Sequence, residues 1–268
     1  MQVERGIGGA PVPRSLHSGM GKAVTLIFDG ARGTIPGSMY QARLREALPR
    51  VEERIARARE RAGHDRSITI VAVTKGHPPE AVRAAAAVGL KECGENRVQE
   101  LEEKRAALGR LVEWHLIGHL QRNKVRRALP LFELIQSVDS FRLAEALSAE
   151  AVRAGGEVTA LVQVNASGEA TKGGFDAADG VEPIARVTEL PALRVSGLMT
   201  MAPLTDDTST LRSTFRAMRE LFDRCAAEVP AFEAKHLSMG MTNDFEIAVE
   251  EGSTMVRLGT ILFGERVR

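Results

Sequence analysis

The stretch ITIVAVTKGHPPEAVRAAAAVG, residues 68–89, reads as one strand, one turn and one helix. Ile68 to Thr74 is an apolar, β-branched run of the length of a buried strand. Pro78-Pro79 marks the break, and an alanine-rich helix runs to Val88, where Gly89 stops it. Working outward, the same unit recurs. Strands are predicted at 68–74, 91–94, 113–117, 131–138, 158–165, 193–199, 235–238 and 254–258. Helices are predicted at 97–108, 121–129, 140–154, 177–189, 208–228 and 244–251. Eight alternating strands imply a parallel sheet closed into a (β/α)8 TIM barrel. No helix is predicted after the last strand. The helix over 41–62, with Leu44, Leu48, Val51, Ile55, Ala58 and Ala62 on one face, is expected to complete the outer ring. The alternative, a doubly wound open sheet, lacks a Gly-x-Gly-x-x-Gly turn after its first strand.

The bulk numbers narrow the function classes. The chain has 268 residues with 36 basic and 35 acidic side chains, a net charge of +1. No basic field argues for nucleic acid or an anionic membrane. Cys93 and Cys225 form neither a metal cluster nor a disulfide framework, which points to a reducing cytoplasm. The only apolar piece near the start, Val24 to Phe28, is too short for a secretory core. Residues 1–38 are rich in Gly, Pro and Ser and lack periodicity. They are expected to be a disordered extension, or to precede a true start at Met20 or Met39. Residues 39–268 are expected to form one domain.

In a barrel the C-terminal strand ends carry the site, and Lys75 stands at the first of them. Alone, Lys75 reads equally as a lysine reaching for solvent or as an amine poised for a Schiff base. The other strand ends gather glycine and hydroxyl residues. The seventh segment gives Ser238-Met239-Gly240-Met241-Thr242 and the eighth Arg257-Leu258-Gly259-Thr260. Such loops let backbone N–H groups approach a phosphate. An amine on the first strand with an anion cradle on the last two describes a site for pyridoxal 5'-phosphate. A Schiff-base aldolase with a phosphate-bearing substrate is the competing reading of the same residues.

The segments VAVTKGHPPE (71–80), CGENRVQE (93–100), EWHLIGHLQRNK (113–124), VQVNASGEATKGGF (162–175), GLMTMAP (197–203) and LSMGMTNDFEIAVEEGSTMVRLGTILFGER (237–266) run in one order. With them the chain resembles the pyridoxal phosphate homeostasis family, across essentially 39–266. The resemblance implies a barrel like the N-terminal domain of alanine racemase, monomeric or weakly dimeric. It implies that Lys75 holds pyridoxal phosphate as an aldimine and that Asn96 contacts the cofactor region. Ser238, Gly240, Gly259 and Thr260 would bind the phosphate, Arg257 would face the pyridine nitrogen, and Met201 would line the ring. Departures from the family pattern are His119 for a usual proline, Thr242 for serine and Cys93 for an aromatic.

Arg257 bears on the chemistry. An acid at the pyridine nitrogen keeps that ring protonated and electron-withdrawing, whereas an arginine cannot accept a proton. A racemase also needs a second base, and the only tyrosine, Tyr40, lies at the start of the first helix. The expectation is a binding and delivery protein with no catalytic residues. It would buffer pyridoxal phosphate, balance amino and keto acids, and pass the cofactor to apo-enzymes. An amino-acid racemase-like enzyme is the alternative. Of the remaining residues, His115 and His119 lack acidic or cysteine partners at metal-ligand spacing, so no metal is expected. His77 reads as a capping or solvent residue, His236 as packing at the seventh strand, and Trp114 as core. The run 100–105 and the Arg-rich 50–61 read as solvated helix faces. Arg122, Lys124, Arg126 and Arg127 form a basic cluster that either attracts an anion or decorates a helix. Lys172 is a candidate secondary attachment point.

Overall fold

A computed structural model describes residues 36–169 and 173–265. The expectations for the tail before residue 36 and for Lys172 fall outside the described residues. The strands are β1 Thr69–Val73, β2 Glu92–Glu95, β3 Glu113–Leu116, β4 Leu134–Val138, β5 Val158–Asn165, β6 Phe175–Asp176, β7 Leu193–Met199, β8 His236–Ser238 and β9 Met255–Leu258. They run in the order β4-β3-β2-β1-β9-β8-β7-β5, and a β4–β5 pairing closes the ring. The pairs are all parallel, from Val71 opposite Glu92 to Ser238 opposite Met255. The fold is the expected eight-stranded TIM barrel. β6 is an addition: two residues that pair beside the end of β5 at Val164 and Asn165, too short for any periodic pattern to reveal.

The outer ring contains α1 Gly37–Ala62, α2 Pro79–Ala87, α3 Val98–Leu108, α4 Val125–Ala128, α5 Phe141–Ala154, α6 Glu182–Thr188, α7 Thr208–Glu228, α8 Phe245–Glu250 and α9 Thr260–Phe263. None of these described helices is long and apolar enough to cross a membrane. α1 buries Tyr40, Leu44, Leu48, Val51, Ile55 and Ala58, a stripe at steps of three and four. That stripe packs on α2, α8 and α9, so α1 fills the outer-ring gap as expected. It begins earlier than its periodicity suggests, because Tyr40 is anchored by rings of distant segments. The short α9, absent from the sequence reading, supplies one of those rings. The expected helix 121–129 is a 3-10 turn, Arg122–Lys124, running into α4. The expected helix 177–189 is a 3-10 turn, Ala177–Asp179, and then α6, interrupted at Gly180.

Alternation along each strand divides the core in two. Outward residues such as Ala72, Trp114, Ile135, Leu237 and Val256 join the large layer between barrel and helices. Inward residues Val71, Leu134, Leu161, Met199 and Met255 form a small apolar plug in the barrel, with Met201 resting against it. Gly197 shows how tightly the wall is built. It has φ +148°, and a Cβ there would stand 1.8 Å from the carbonyl oxygen of His236 on β8. Gly197→Ala must therefore push two paired strands apart. It is expected to destabilise the fold by about 3 kcal/mol or more, measured as a drop in the urea unfolding midpoint; an unchanged midpoint would show that the wall gives way freely.

Candidate functional site

Lys75 sits on a turn that leaves β1 at the C-terminal mouth. Thr74 stays on the ladder through its N–H to Gly94 O (3.1 Å), and the His77 N–H donates to Thr74 O (3.0 Å) to close the turn. Its third residue, Gly76, has φ +73°, a conformation that glycine adopts without a Cβ penalty. Lys75 itself is half-buried. Beneath it lies a charged cluster. The ammonium of Lys104 on α3 donates to Thr74 O (2.7 Å), Glu95 Oε1 (2.6 Å) and Glu100 Oε1 (2.9 Å). Thr74 Oγ1 donates to Glu95 Oε1 (2.5 Å), and the Gly76 N–H donates to Glu100 Oε1 (2.5 Å). On the other side of the turn the His77 Nδ1 lies 3.2 Å from the Tyr40 hydroxyl. The His77 ring packs on Phe263 with centroids 5.4 Å apart.

Two expectations are corrected here. The run 100–105 is not wholly a solvated face, because Lys104 is only 3% exposed. The step of four from Glu100 to Lys104 that suggests a surface pair also points both side chains at the Lys75 turn. His77 is a buried anchor for α1 rather than a capping or solvent residue.

Next to β1 in the ring, β9 and its neighbour β8 carry a polar row into the barrel. Arg257 Nη1 donates to Ser238 Oγ (2.6 Å) and Nη2 to Thr200 O (2.8 Å). The Ser238 hydroxyl donates to Gln136 Oε1 (2.7 Å), whose amide Nε2 meets His115 Nδ1 at 2.9 Å. Burial, reinforced by His236, pushes His115 down to about 3, so the ring is neutral and accepts that bond. Burial lowers Arg257 to about 10, partly offset by Asp244, which still leaves a cation at neutral pH. The Ser238 hydroxyl, donating to Gln136 and accepting from Arg257, stands inside the barrel and supports the arginine.

The remaining predicted residues gather at the rim. Gly240 ends β8, and its carbonyl accepts the Arg257 N–H (3.0 Å). Gly259 stands at the N-cap position of α9, whose first residue is Thr260. The nearby Thr242 is a half-buried hydroxyl on the loop between β8 and α8. Met201 rests on the apolar plug. Asn96 follows β2, which pairs with β1 through Gly94 opposite Val73. Its side-chain oxygen is buried without a hydrogen-bond partner, as are a few other side-chain atoms among the described residues, Trp114 Nε1 and Ser196 Oγ among them. Among the described residues, no group of three or more His, Cys, Asp or Glu is placed to hold a metal ion.

Residues 47–267 match the family profile of the alanine racemase N-terminal domain. A relative from Aquifex aeolicus named pyridoxal phosphate homeostasis protein is 44% identical over 82% of this chain and 97% of its own length. The chain belongs to the pyridoxal phosphate homeostasis protein family. PipY of Synechococcus elongatus, solved with pyridoxal phosphate bound, is 37% identical, covers 79% of this chain and 99% of its own, and superposes with a TM-score of 0.69. Alanine racemase of Clostridium difficile shares the fold alone, at 17% identity and a TM-score of 0.69, with 84% of this chain covering 60% of that one.

For this family member the sequence reading passed over Glu95, Glu100, Lys104 and Gln136. Glu95 and Glu100 lie within CGENRVQE, but only the fold shows what they hold. His119 also has a partner that spacing did not reveal, with Nδ1 at 2.6 Å from Asp139 across the loops after β3 and β4. In the basic cluster, Arg127 pairs with Glu102 and Lys124 reaches Gln99 at 3.3 Å, so part of it braces α3.

Burial pushes the Glu95 carboxyl from 4.5 up to about 7, against the pull of Lys104 and Thr74. A carboxyl raised on folding contributes stability that is complete below its unfolded value and is lost as pH rises through the folded one. Between about pH 4.5 and about pH 7 the wild type should therefore lose about 3 kcal/mol relative to Glu95→Gln. Urea unfolding of both proteins across that window measures it; a difference that does not vary with pH would mean that Glu95 ionises as it does when unfolded.

Proposed function

We propose that this chain holds pyridoxal 5'-phosphate reversibly at the C-terminal barrel mouth, on the amine of Lys75, and so buffers and hands on the cofactor with little or no catalysis. The observation that carries the reading is the partnerless buried oxygen of Asn96 beside the pinned Lys75 turn. The residues fit the group: one amine, one waiting polar atom, an apolar seat at Met201, a buried cation at Arg257 and two adjacent glycine-bearing loops. The cofactor supplies an aldehyde that condenses with a primary amine, releasing water, on an electron-withdrawing ring.

The protein residues divide the remaining work. Lys75 presents the amine. Gly240, Gly259 and Thr260 leave room for backbone N–H groups to meet the phosphate, with Thr242 as the hydroxyl nearest in sequence. Arg257 would face the ring nitrogen as a fixed cation that accepts no proton. Tyr40 provides no second base: it is 2% exposed, and its hydroxyl lies against His77. Burial, with help from Glu80, raises its pKa further. These features support a carrier over an amino-acid racemase. The same reading makes 39–268 the binding domain and 1–38 an extension to it. It places a monomer or weak dimer in the cytoplasm, with apo-enzymes that need pyridoxal phosphate as recipients.

An absorbance scan and intact mass, before and after borohydride, test this on wild type and Lys75→Ala incubated with pyridoxal phosphate. Wild type should gain one reduced cofactor, mapped to Lys75, and Lys75→Ala none. Label on another lysine, or alanine racemisation at ordinary enzyme turnover, about 1 per second or faster, would overturn the proposal.

A further inference from the structure

The Lys75 turn is held more tightly than a strand-to-helix turn requires. The His77 N–H to Thr74 O bond closes it by itself. Beyond that bond, the two peptide groups on either side of the Lys75 Cα are each gripped by a charged side chain of α3. Lys104 donates to the Thr74 carbonyl, which belongs to the peptide before Lys75. Glu100 accepts from the Gly76 N–H, which belongs to the peptide after it. Two fixed peptide planes fix φ and ψ of the residue between them, and hence the direction in which its side chain leaves the backbone. Glu95, fully buried, accepts from both Lys104 and the Thr74 hydroxyl and ties the grip to β2.

An ion cluster whose task was only to seat α3 on the sheet would be replaceable. A buried ion pair exchanged for apolar side chains of similar volume is often neutral or stabilising. Such side chains, however, offer nothing to the Thr74 carbonyl or the Gly76 N–H. We propose that Lys104 and Glu100, with Glu95 as the buried acceptor that anchors Lys104, are positioning residues that aim the Lys75 amine into the barrel mouth. This rests on the reading of Lys75 as the cofactor-bearing amine.

The test compares wild type with Lys104→Met, Glu100→Ala and Glu100→Gln. In the cofactor-free proteins, competitive acetylation by acetic anhydride reads Lys75 against the exposed Lys91, peptide by peptide. In parallel, added pyridoxal phosphate and borohydride measure the rate of trapping on Lys75, and thermal melts report folding. Lys104→Met and Glu100→Ala should move the acetylation ratio toward that of an ordinary surface lysine. They should also slow trapping by about tenfold or more, even where the melting temperature is unchanged. Glu100→Gln, which keeps an acceptor for the Gly76 N–H, should stay within about threefold of wild type. If Lys104→Met does not fold, Glu100→Ala decides, since the Glu100 side chain is 24% exposed and tolerates truncation. Wild-type ratios and trapping rates in both truncated variants would overturn the inference. A wild type that traps no cofactor on Lys75 would instead overturn the proposed function, and the acetylation ratios would still decide whether these residues aim the amine.

Discussion

A lysine ammonium can be buried only if each of its three protons meets an acceptor, and Lys104 meets that demand with Thr74 O, Glu95 and Glu100. The rest of the mouth follows from this constraint. The three acceptors come from the end of β1, the end of β2 and the first turn of α3. Satisfying one ammonium therefore holds three elements in register around the turn that carries Lys75. The cluster also explains why a carboxylate and an amine sit under a position that needs neither for packing. An apolar filling would seat the helix, but it would leave the Gly76 N–H without Glu100 and the Thr74 carbonyl held by the His77 N–H alone.

The neighbouring strands β9 and β8 solve a related problem by other means. Arg257 is a buried cation whose charge the Asp244 carboxylate helps to hold. Its two described bonds go to a hydroxyl and a carbonyl. Behind that hydroxyl the bonds point one way, from arginine to serine to glutamine to a neutral histidine, so each dipole presents its negative end toward the cation. The barrel interior is thus partly a polar column set against an apolar plug. The adjacent strands β1 and β9 carry different devices: an amine on a braced turn, and a buried cation that cannot take a proton.

Much of the frame was legible from the chain. Alternating β-rich and alanine- or leucine-rich segments imply the barrel, and the stripe from Leu44 to Ala58 implies the helix that completes its ring. The elements that escaped, β6 and α9, span two and four residues, shorter than the periods that reveal strands and helices. The site was legible as a set of strand ends. Ser-Met-Gly next to a strand end reads as anion chemistry, and only the pleat, which alternates side chains between faces, shows the Ser238 hydroxyl turned into the barrel toward Arg257.

By itself the sequence determined the fold, because alternating strands and helices are written in local periodicity, and its motifs, running in one order, carried the resemblance to the family. Only the tertiary structure decided which charges are buried. Glu100 and Lys104 read as part of a solvated face until β1, β2 and α3 converge, and Tyr40 reads only as the start of a helix until His77 and Phe263 close over it. Burial and hydrogen-bond partnership arise from segments distant in the chain, and no local pattern encodes them.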